Sequence, residues 1–497
     1  MRIVNQAADF EEGLAACQRE ARNSFGNDAV LIEKYVQRPR HIEIQVFGDN
    51  HGNTIHLHER DCSVQRRHQK VLEESPAPGL SPSMRERMGA AAVAAAKSVH
   101  YVGAGTVEFI VEQTDRGMDF FFMEMNTRLQ VEHPVTEAVT GLDLVEWQLR
   151  IAAGESLPLT QEQVRVQGHA IEARICAETP DNQFLPATGH LHVMRTPVAS
   201  RFEVGEVRLD SGVGQGDDIS PHYDSMIAKL IVHGDSRAQA LARLDQALSE
   251  LHIVGVANNT SFLRQVIRSP SFVQANLDTA LIEREKAVLF NQQALPVALA
   301  VASAVVQQLH AEQAPSLAWT DPLARNDGWV LQGVSRRPMV FMVGEQSVQA
   351  ELIRHNHGGV QLRVEEQLGD LVWQRHGHAW RMAWASHRWT AQVDQVQGVM
   401  HVFTDAGSSS VSWANPLAHD ATHAAVGGNL SAPMPGKLLS YAVNVGDKVT
   451  AGQALAVMEA MKMEHTVAAP TAGTVAELLF APGEQVNEGA PLLRLNV

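Results

Sequence analysis

The feature that most limits the fold of this chain is a duplicated pattern near its C-terminal end. Glycine, valine and leucine residues of one copy return in the second copy at a constant offset of 37 residues. The matching positions are Gly446, Asp447, Val449, Gly452 and Leu455 in the first copy and Gly483, Glu484, Val486, Gly489 and Leu492 in the second. In each copy, Gly and Pro interrupt short apolar alternations at the spacing of short β-strands. The duplication therefore predicts a small all-β module made of two similar halves.

Lys462 lies between the two copies, in the segment from Glu459 to Met463. If the halves pack around a pseudo-two-fold axis, the link between them is a hairpin with Lys462 exposed at its tip. A lone lysine in a turn is normally only solvated, but the double copy and the flanking methionines favour a modification site. The segment resembles the biotinyl domain of biotin-dependent carboxylases, in which this lysine carries biotin attached by biotin protein ligase. Lipoyl domains share the fold but usually have a different tetrad around the lysine, so the segment fits biotin better.

Charge and cysteine content narrow the class of protein. The net charge of −16 is spread without long runs of one sign, which argues against a nucleic-acid-binding surface. Three widely spaced cysteines form neither a disulfide framework nor a zinc pattern, and they indicate a reducing compartment. The longest apolar run, 294–306, is shorter than the ~20 residues of a membrane span, and no secretory signal is visible. We therefore expect a cytoplasmic protein, or one of the mitochondrial matrix in a eukaryote, that binds neither nucleic acid nor membrane.

Polar residues occupy every second position from 124 to 132. They are Glu124, Asn126, Arg128, Gln130 and Glu132. In an extended strand all of them would point to one face. Glu124 and Asn126 offer hard oxygen ligands for a magnesium or manganese ion, and Glu108 on a neighbouring predicted strand is a further candidate ligand. Arg128 offers a planar fork for an oxyanion, and Glu132 is a candidate general base. The alternative interpretation is a polar strand face with surface ion pairs.

Two further groups of charge lie outside this segment. The residues from Arg66 to Lys70 form a cationic patch in an acidic chain, which suits phosphate or carboxylate binding. A salt-bridged loop is the alternative interpretation of that patch. Glu172 and Arg174 share one face of a strand predicted over 169–175, where a cross-strand ion pair is the alternative to a functional role.

Taken together, these groups resemble the biotin carboxylase component of biotin-dependent carboxylases, an ATP-grasp enzyme. The resemblance runs from residue 1 to residue 285 and includes the segments 33–35, 60–63, 66–70, 124–128, 130–137 and 223–226. It implies a set of residues around the nucleotide, which are Glu33, Lys34, Tyr35, His41, Gln65 and His68. It also implies that Lys70 contacts phosphate or carboxyphosphate, that metal is held by Glu108, Glu124 and Asn126, and that bicarbonate is positioned by Arg128, Gln130 and Val131.

The same resemblance implies a mechanism. Glu132 deprotonates bicarbonate, which attacks the γ-phosphate of ATP, and the resulting carboxyphosphate breaks down to CO2 and phosphate. Arg174 stabilises the enolate form of biotin that attacks CO2. Biotin carboxylases begin with a Rossmann-like domain and a Gly-rich loop over the phosphates, and residues 1–4 look like those just after that loop. We therefore expect an N-terminally truncated carboxylase. The alternative is a biotin carrier and docking fragment without carboxylase activity of its own.

The middle of the chain has a different pattern. An apolar helix is predicted over 294–309, and short alternating strands rich in Val, Trp and Gln follow over 327–418. This arrangement resembles the linking domain of acyl-CoA carboxylase α subunits, which wraps a barrel around a helix and docks the carboxyltransferase β subunit. No segment of carboxyltransferase size is present, so we expect the transferase on another chain and a hetero-oligomer. General similarity favours methylcrotonyl-CoA as the acyl-CoA, followed by propionyl-CoA or geranyl-CoA.

These interpretations combine into a multidomain α+β chain that uses covalent biotin, ATP and Mg2+ or Mn2+. The predicted domains are a remnant of the ATP-grasp small lid domain (1–35), the ATP-grasp biotin carboxylase region (36–285), a helix-plus-β-barrel linking domain (294–418), a flexible linker (419–430) and a C-terminal β-sandwich biotinyl domain of the lipoyl-like type (431–497). Within them, a buried strand is predicted at 30–35 and a helix at 141–153.

Overall fold

The structure is a computed structural model that describes residues 2–66, 69–114, 117–290, 295–313, 328, 330, 333–355, 358–414, 429–460, 463–487 and 489–496. Its first region, up to residue 290, is a mixed α/β region. The helices of this region are α1 (Phe10–Phe25), α2 (Pro82–Ser98), α3 (His133–Thr140), α4 (Leu144–Ala152), α5 (Arg237–Ser249), α6 (Thr260–Arg268), α7 (Pro270–Val273), α8 (Leu281–Arg284) and α9 (Lys286–Leu289).

An eight-stranded antiparallel sheet forms the centre of this region, with the strand order β11-β13-β6-β3-β2-β1-β4-β5. The strands are β1 (Arg40–Gly48), β2 (Thr54–Arg66), β3 (Gln69–Ser75), β4 (Gly103–Thr114), β5 (Gly117–Asn126), β6 (His169–Cys176), β7 (Glu178–Thr179), β8 (Leu185–Pro186), β9 (Gly189–His190), β10 (Val193–Arg195), β11 (Val207–Ser211), β12 (Asp218–Ile219), β13 (Met226–Gly234) and β14 (His252–Val254). Three two-stranded ribbons, β7 with β8, β9 with β12 and β10 with β14, flank the sheet.

Helix α2 begins at a clear sequence signal and covers one face of the eight-stranded sheet. The Ser81 side chain accepts a hydrogen bond from the Met84 amide at 3.2 Å, and Pro82 occupies the first turn, so the helix begins where its sequence signal lies. Its alanine-rich face buries Met88 and Ala92 against the apolar residues of β1. The other face of the sheet is thereby left for the polar side chains described below.

One local prediction was wrong. Residues 27–36 form no regular element, and Leu31 and Ile32 are 92% and 73% exposed instead of buried in a strand. The segment pairs with no strand in the described part of the chain, so Leu31 and Ile32 stay exposed, although Val36 is buried. The helix predicted over 141–153 is confirmed as α4, which begins at Leu144 because Gly141 ends α3 in a left-handed conformation and the Asp143 side chain caps α4.

The second region is a closed eight-stranded barrel built around one helix, α10 (Val297–Gln313). Its strands are β15 (Val334–Val343), β16 (Gln346–His355), β17 (Val360–Val364), β18 (Gln367–His376), β19 (Ala379–Trp384), β20 (His387–Val396), β21 (Val399–Thr404) and β22 (Ser408–Trp413). Val301, Val305 and Leu309 of α10 pack in one core with inward-facing barrel residues such as Phe341 and Trp384. The helix is apolar nearly all round because the barrel surrounds it, and this confirms the predicted helix-plus-barrel fold.

The third region is a β-sandwich of two four-stranded sheets. Its strands are β23 (Asn429–Ser431), β24 (Gly436–Tyr441), β25 (Lys448–Val449), β26 (Ala454–Ala460), β27 (Met463–Ala468), β28 (Gly473–Leu478), β29 (Gln485–Val486) and β30 (Pro491–Asn496). The duplicated turns adopt matching left-handed conformations, with φ of 95° at Gly446 and 97° at Gly483. The two copies are therefore structural equivalents, and the predicted sandwich fold is confirmed.

The expected modification site lies between two paired strands of this sandwich. Strands β26 and β27 pair up to Ala460 and Met463, so Met461 and Lys462 are the two residues that connect them. Both residues lie outside the described part of the chain. Most of the predicted linker also lies outside it, but its last two residues, 429 and 430, belong to β23 and are strand. Among the described helices, none is long and apolar enough to cross a membrane.

Candidate active site

Charged side chains from six neighbouring elements converge on one face of the eight-stranded sheet. Strand β3 lies between β2 and β6, and β1 lies between β2 and β4, so residues on one face of these strands lie side by side. A register shift between the pairs Val64–Leu72 and Gln65–Lys70 brings Lys70 and Glu73, three residues apart on β3, to the same cluster. The converging side chains, which form the charged cluster, are Glu43 on β1, Arg60 on β2, Lys70 and Glu73 on β3, Glu108 on β4, Arg174 on β6 and Glu132 at the N-cap of α3.

Lys70 lies at the centre of the charged cluster. Its Nζ is 2.6 Å from Glu43 Oε2, 3.0 Å from Glu108 Oε1 and 2.6 Å from Glu132 Oε1. Burial lowers the pKa of Lys70, but the three carboxylates, Glu43 above all, raise it above its ordinary value. The ammonium therefore stays charged and neutralises part of a strongly acidic pocket.

Glu132, the predicted base, is held from two sides. Lys70 contacts one of its oxygens, and Arg174 Nη2 donates to the other at 3.0 Å. The same guanidinium donates from Nε to Glu73 Oε1 at 2.6 Å. Glu132 is 2% exposed and starts α3, where the helix dipole favours a negative charge. This arrangement fixes a carboxylate between two cations, which is a suitable setting for proton transfer beside an anionic substrate.

Arg60 is the structural support of the charged cluster and was not assigned a role from the sequence. It is fully buried, and its Nε donates to Glu43 Oε1 at 2.6 Å while Nη2 donates to Gln130 Oε1 at 3.1 Å. Gln130 in turn donates to Glu108 Oε1 at 3.0 Å. One guanidinium thus orients Glu43, which contacts Lys70, and Gln130, which contacts a candidate metal ligand. The alternation of the polar residues His41, Glu43 and Gln45 along β1 was the signal that could have identified Glu43, whereas β2 has three consecutive charged residues, Glu59 to Asp61, and gives no such pattern for Arg60.

The candidate metal ligands lie on adjacent strands. Glu108 and Glu124 are directly opposite each other in the pairing of β4 with β5, and Asn126 Nδ2 lies 3.0 Å from Glu108 Oε1. His41 Nε2 lies 2.9 Å from Glu108 Oε2, and Gln65 Nε2 lies 2.7 Å from His41 Nδ1. Carboxylate and amide oxygens in this arrangement fit Mg2+ or Mn2+, with Glu124 facing solvent where nucleotide phosphates could complete the coordination.

The cations of the charged cluster set the charge state of its acids. Burial raises the pKa of Glu43, but Lys70 and Arg60 outweigh it and lower that pKa to about 2. Glu108 also has a lowered pKa, because its contacts with His41 and Lys70 outweigh its burial. Both carboxylates are therefore ionised and available as ligands at neutral pH.

A second pair of acids behaves in the opposite way. Glu73 and Glu172 are directly opposite each other on β3 and β6. Burial raises the pKa of Glu73 to about 7 in spite of its contact with Arg174, and it raises the pKa of Glu172 well above its ordinary value. Glu172 is fully buried, and neither of its carboxyl oxygens has a hydrogen-bond partner among the described residues. Arg174 forms the cross-strand ion pair that the sequence left as an alternative, with Glu73 on β3, and it also contacts Glu132, whereas Glu172 takes no part in an ion pair among the described residues.

Several predicted site residues lie elsewhere. The extended segment ends at Asn126, so the five alternating polar residues do not share one strand face. Arg128 is exposed and donates within its own loop to the Leu129 carbonyl at 3.3 Å. Val131 contributes its carbonyl oxygen, which accepts from Lys229 Nζ at 2.7 Å. The change of direction after Asn126 buries Gln130 and Glu132 while it leaves Arg128 outside the charged cluster.

The predicted adenine segment is also separate from the charged cluster. Glu33 and Tyr35 are exposed, and Lys34 Nζ pairs with Glu112 Oε2 at 2.7 Å. His68 lies outside the described residues. The structure thus brings together His41, Gln65, Lys70 and the acidic residues, and it does not bring the segment 33–35 to them.

Comparisons with known proteins identify the relatives of this site. Residues 1–160 match the family model "Carbamoyl-phosphate synthase L chain, ATP binding domain", residues 172–284 match "Biotin carboxylase C-terminal domain", and residues 428–495 match "Biotin-requiring enzyme". The chain is 42% identical over 506 residues to the mitochondrial methylcrotonoyl-CoA carboxylase subunit α of Mus musculus. The matched region covers 99% of this chain and 70% of that relative. The chain belongs to the family of biotin-dependent acyl-CoA carboxylase α subunits.

Further matches agree with this family. The mitochondrial propionyl-CoA carboxylase α chain of Mus musculus is 37% identical over 528 residues, covering all of this chain and 69% of that relative. The solved biotin carboxylase domain of a thermophilic 2-oxoglutarate carboxylase bound to bicarbonate matches with 41% identity and a TM-score of 0.55, over 58% of this chain and 63% of that one. The chain is therefore the biotin carboxylase component, a ligase, of an acyl-CoA carboxylase. The predicted cofactors, biotin and ATP with a divalent metal, are confirmed at the level of the family.

Proposed function

We propose that this chain carboxylates biotin attached to its own Lys462, with ATP and bicarbonate as substrates. The carboxyl group then passes to an acyl-CoA, 3-methylcrotonyl-CoA, on a separate carboxyltransferase subunit. The observation that carries the proposal is the contact of Glu132 with both Lys70 and Arg174 beside the oxygen ligands of Glu108. A base, two cations and a metal-binding acid within one pocket are the groups that bicarbonate activation and phosphoryl transfer require.

Glu132 takes the proton of bicarbonate in this proposal. Bicarbonate is a weak nucleophile until that proton is removed, and its oxygen then attacks the γ-phosphorus of ATP with ADP as leaving group. Lys70 changes partners at this point, because phosphate oxygens compete with Glu132 for its ammonium. Release of Lys70 leaves Glu132 Oε1 free to accept the proton of bicarbonate.

The divalent metal is assigned to Glu108, Glu124 and Asn126. When bound there, it neutralises charge on the β- and γ-phosphate oxygens. The ionised state of Glu108 and its contact with Gln130 keep one ligand oriented toward that position. Arg60 stabilises this arrangement because it donates hydrogen bonds to Gln130 and to Glu43.

Biotin is assigned to Lys462, which biotin protein ligase would modify. When attached, biotin supplies a ureido nitrogen that accepts the carboxyl group. Arg174 would stabilise the negative charge that develops on the ureido oxygen, and its contact with Glu73 holds the guanidinium in the pocket. Tight strand pairing up to Ala460 and Met463 would present Lys462 between two ordered strands.

The proposed partner is a carboxyltransferase β subunit. It would bind to the barrel of this chain, and the two would form a hetero-oligomer. The support is the barrel around α10 and the presence of methylcrotonoyl-CoA carboxylase α subunits among the relatives. These relatives are mitochondrial, and the location proposed for this chain is the mitochondrial matrix in a eukaryote and the cytoplasm in a bacterium.

The proposed function is tested by bicarbonate-dependent ATP cleavage with free biotin. We expect the Glu132→Gln variant to lose this activity by at least about 100-fold, the usual contribution of a general base. The matched control is Glu146→Gln, on the exposed side of α4, which should cleave ATP at the wild-type rate. Wild-type turnover in the Glu132→Gln variant would show that the base is another residue.

A second candidate function, a biotin carrier without carboxylase activity, is favoured by one observation. The predicted adenine residues Glu33 and Tyr35 are exposed and make no contact with the charged cluster in the described structure. This candidate predicts streptavidin-detectable labelling, lost in Lys462→Ala and kept in Lys448→Ala, together with no bicarbonate-dependent ATP cleavage. ATP cleavage by the wild-type chain would exclude it.

A further inference from the structure

Two buried glutamates beside Arg174 take no direct part in the proposed chemistry. Glu73 on β3 and Glu172 on β6 are 1% and 0% exposed, and they are directly opposite each other in the pairing of these strands. Side chains of directly opposite residues project from the same face of a sheet, with Cβ atoms about 4.5–5.5 Å apart. The two carboxyl groups are therefore neighbours. Because Arg174 lies two residues after Glu172 on β6, all three side chains share one face.

Most of the carboxyl oxygens of this pair lack a hydrogen-bond partner. Glu73 Oε1 accepts from Arg174 Nε at 2.6 Å. Glu73 Oε2 and both oxygens of Glu172 are buried, and none of them has a partner in the described part of the chain. Buried polar groups without a partner are costly, because they have lost their hydrogen bonds to water. A proton on Glu172 supplies the donor that is missing, since its O–H can donate to Glu73 Oε2.

The surroundings of the pair decide which of the two glutamates keeps the proton. Glu172 lies beside an apolar cluster that includes residues of α3 and is formed by Val135, Val139, Ala170 and Ile231. Burial is the main cause of the raised pKa of Glu172, and the charges of Glu73 and Glu132 add to it. The Lys229 ammonium opposes them, but it already donates to a backbone carbonyl at 2.7 Å. Glu73 instead contacts the Arg174 guanidinium, which favours its ionised form.

We propose that protonated Glu172 donates a hydrogen bond to Glu73 Oε2 and thereby positions Arg174 for its role toward biotin. This bond fixes the rotation of the Glu73 carboxylate, so that its Oε1 faces Arg174 Nε. Arg174 then keeps its other contact, with Glu132 Oε2 at 3.0 Å. An ionised Glu172 would compete with Glu73 and Glu132 for the same guanidinium. Glu172 is a positioning residue in this account, which rests on the proposed function because it concerns the role of Arg174 there.

Infrared spectra of the full chain at neutral pH test the hydrogen bond between the two glutamates. We expect the wild type to show the carbonyl stretch of a protonated carboxyl group that is missing from Glu172→Gln, because this variant has no acid at the position. In Glu73→Gln the same band should shift, since Glu172 then donates to an amide instead of a carboxylate. A wild-type spectrum without this band would show that Glu172 is ionised, and an unshifted band in Glu73→Gln would show that Glu172 does not donate to Glu73. Each of these two results would overturn the proposal.

Hydrogen exchange of the Arg174 Nε proton tests the positioning. Nuclear magnetic resonance follows this proton, and the signal is assigned by its absence from Arg174→Lys. Glu172→Met removes the donor at similar size, so exchange should accelerate by about tenfold, the loss of one hydrogen bond to a charged group. Glu172→Gln keeps a donor in its amide group and should exchange at the wild-type rate. Ile231→Met changes the packing at a buried neighbour of Glu172 on β13, and as the matched control it should leave the rate unchanged.

The same variants connect this hydrogen bond to the reaction. Glu172→Met should lower kcat for carboxylation of free biotin by about tenfold and leave KM for ATP unchanged, whereas Glu172→Gln should keep the wild-type kcat. Unchanged Nε exchange in a folded Glu172→Met variant would overturn the proposal, and so would a Glu172→Gln variant as impaired as Glu172→Met. If Glu172→Met does not fold, the infrared spectra of Glu172→Gln and Glu73→Gln decide. Absence of biotin carboxylation by the wild type would instead contradict the proposed function, while the infrared and exchange measurements would still decide how Arg174 is positioned.

Discussion

Lys70 occupies the position that a cation would otherwise fill in the charged cluster. Donor atoms of His41, Glu43 and Glu108 lie within 4.8 Å of one another, and the Lys70 ammonium contacts both carboxylates. A like charge about 4 Å away costs about 4 kcal/mol at an effective dielectric constant of 20. The ammonium therefore opposes a divalent ion until phosphate oxygens draw it away.

The Lys70→Met variant should consequently bind Mn2+ more tightly than the wild type when no nucleotide is present. We expect a gain of at least about tenfold, which is well below the effect of the full repulsion because solvent and neighbouring groups relax around the charges. Titration of free Mn2+ by electron paramagnetic resonance measures this directly, and Lys97→Met on the exposed end of α2 is the control. Equal affinities would show that Lys70 does not compete with the metal.

The buried carboxyl of Glu172 leads to a prediction about how the stability of the fold depends on pH. Its folded pKa lies above the unfolded value, so its contribution to stability is present below about pH 4.5 and is lost as pH rises through the folded pKa. Glu172→Gln keeps the shape and removes the titration. The stability of the variant relative to the wild type should therefore rise between pH 5 and pH 8, because only the wild type has a buried carboxyl that ionises more readily in the unfolded chain.

Urea unfolding followed by circular dichroism at the two pH values measures this gain. Glu203→Gln, in an exposed loop, is the matched control and should show no pH-dependent difference from the wild type. A constant difference between wild type and Glu172→Gln across this range would show that the carboxyl does not change its protonation on folding. Because Glu73 lies opposite and has a pKa of about 7, the Glu73→Gln variant should show the same trend.

At the scale of elements, the sequence predicted best where a local signal and the tertiary environment agree. Ser81 and Pro82 mark the start of α2, and the duplicated glycines mark equivalent turns, because these residues act through their own backbone. The segment 30–35 has the composition of a buried strand, but a strand also needs a pairing partner, which no local pattern specifies. Tertiary contacts decide such cases.

In the candidate site, too, the sequence identified single residues, whereas tertiary contacts decided which of them come together. Glu108, Lys70, Glu132 and Arg174 were identified as individual residues, and the structure brings them together. The turn after Asn126 separates Arg128 from them, and alternation alone cannot indicate where an extended segment ends. Arg60 was missed because its role depends on partners from several different elements, none of which is near it in sequence.

Helix α10 carries a prediction at this scale. Leu309 is 1% exposed and packs in the barrel core. Its replacement by alanine leaves a cavity, so Leu309→Ala should destabilise the barrel by about 2–5 kcal/mol. Five of the eight tryptophans lie in barrel strands, so intrinsic fluorescence reports mainly on this unit during denaturant unfolding. Leu149→Ala on α4, where the side chain is 69% exposed, is the control. Equal midpoints for the two variants would mean that α10 does not support the barrel.

At the scale of the whole molecule, the barrel is attached to the carboxylase region through a few specific contacts. Arg195 on β10 donates to Gln392 at 2.9 Å and pairs with Asp394 on β20. The rings of His252 and Phe403 are stacked, with centroids 4.2 Å apart and planes 10° from parallel. Interfaces of this kind hold two domains in one orientation only if their few anchoring contacts remain intact.

The stacked pair allows a test of that attachment. Phe403→Ala removes the ring that covers His252 and should loosen the interface, because a stacked aromatic pair contributes about 0.5–1.5 kcal/mol beyond its buried area. Hydrogen exchange should then accelerate at β14 and β21, which carry the two rings, while the interior of the eight-stranded sheet keeps its protection. Phe202→Ala, at an exposed loop position, is the control and should leave exchange unchanged. Unchanged exchange in Phe403→Ala would place the attachment on the Arg195 contacts, and Arg195→Ala would then be expected to accelerate exchange at β10 and β20.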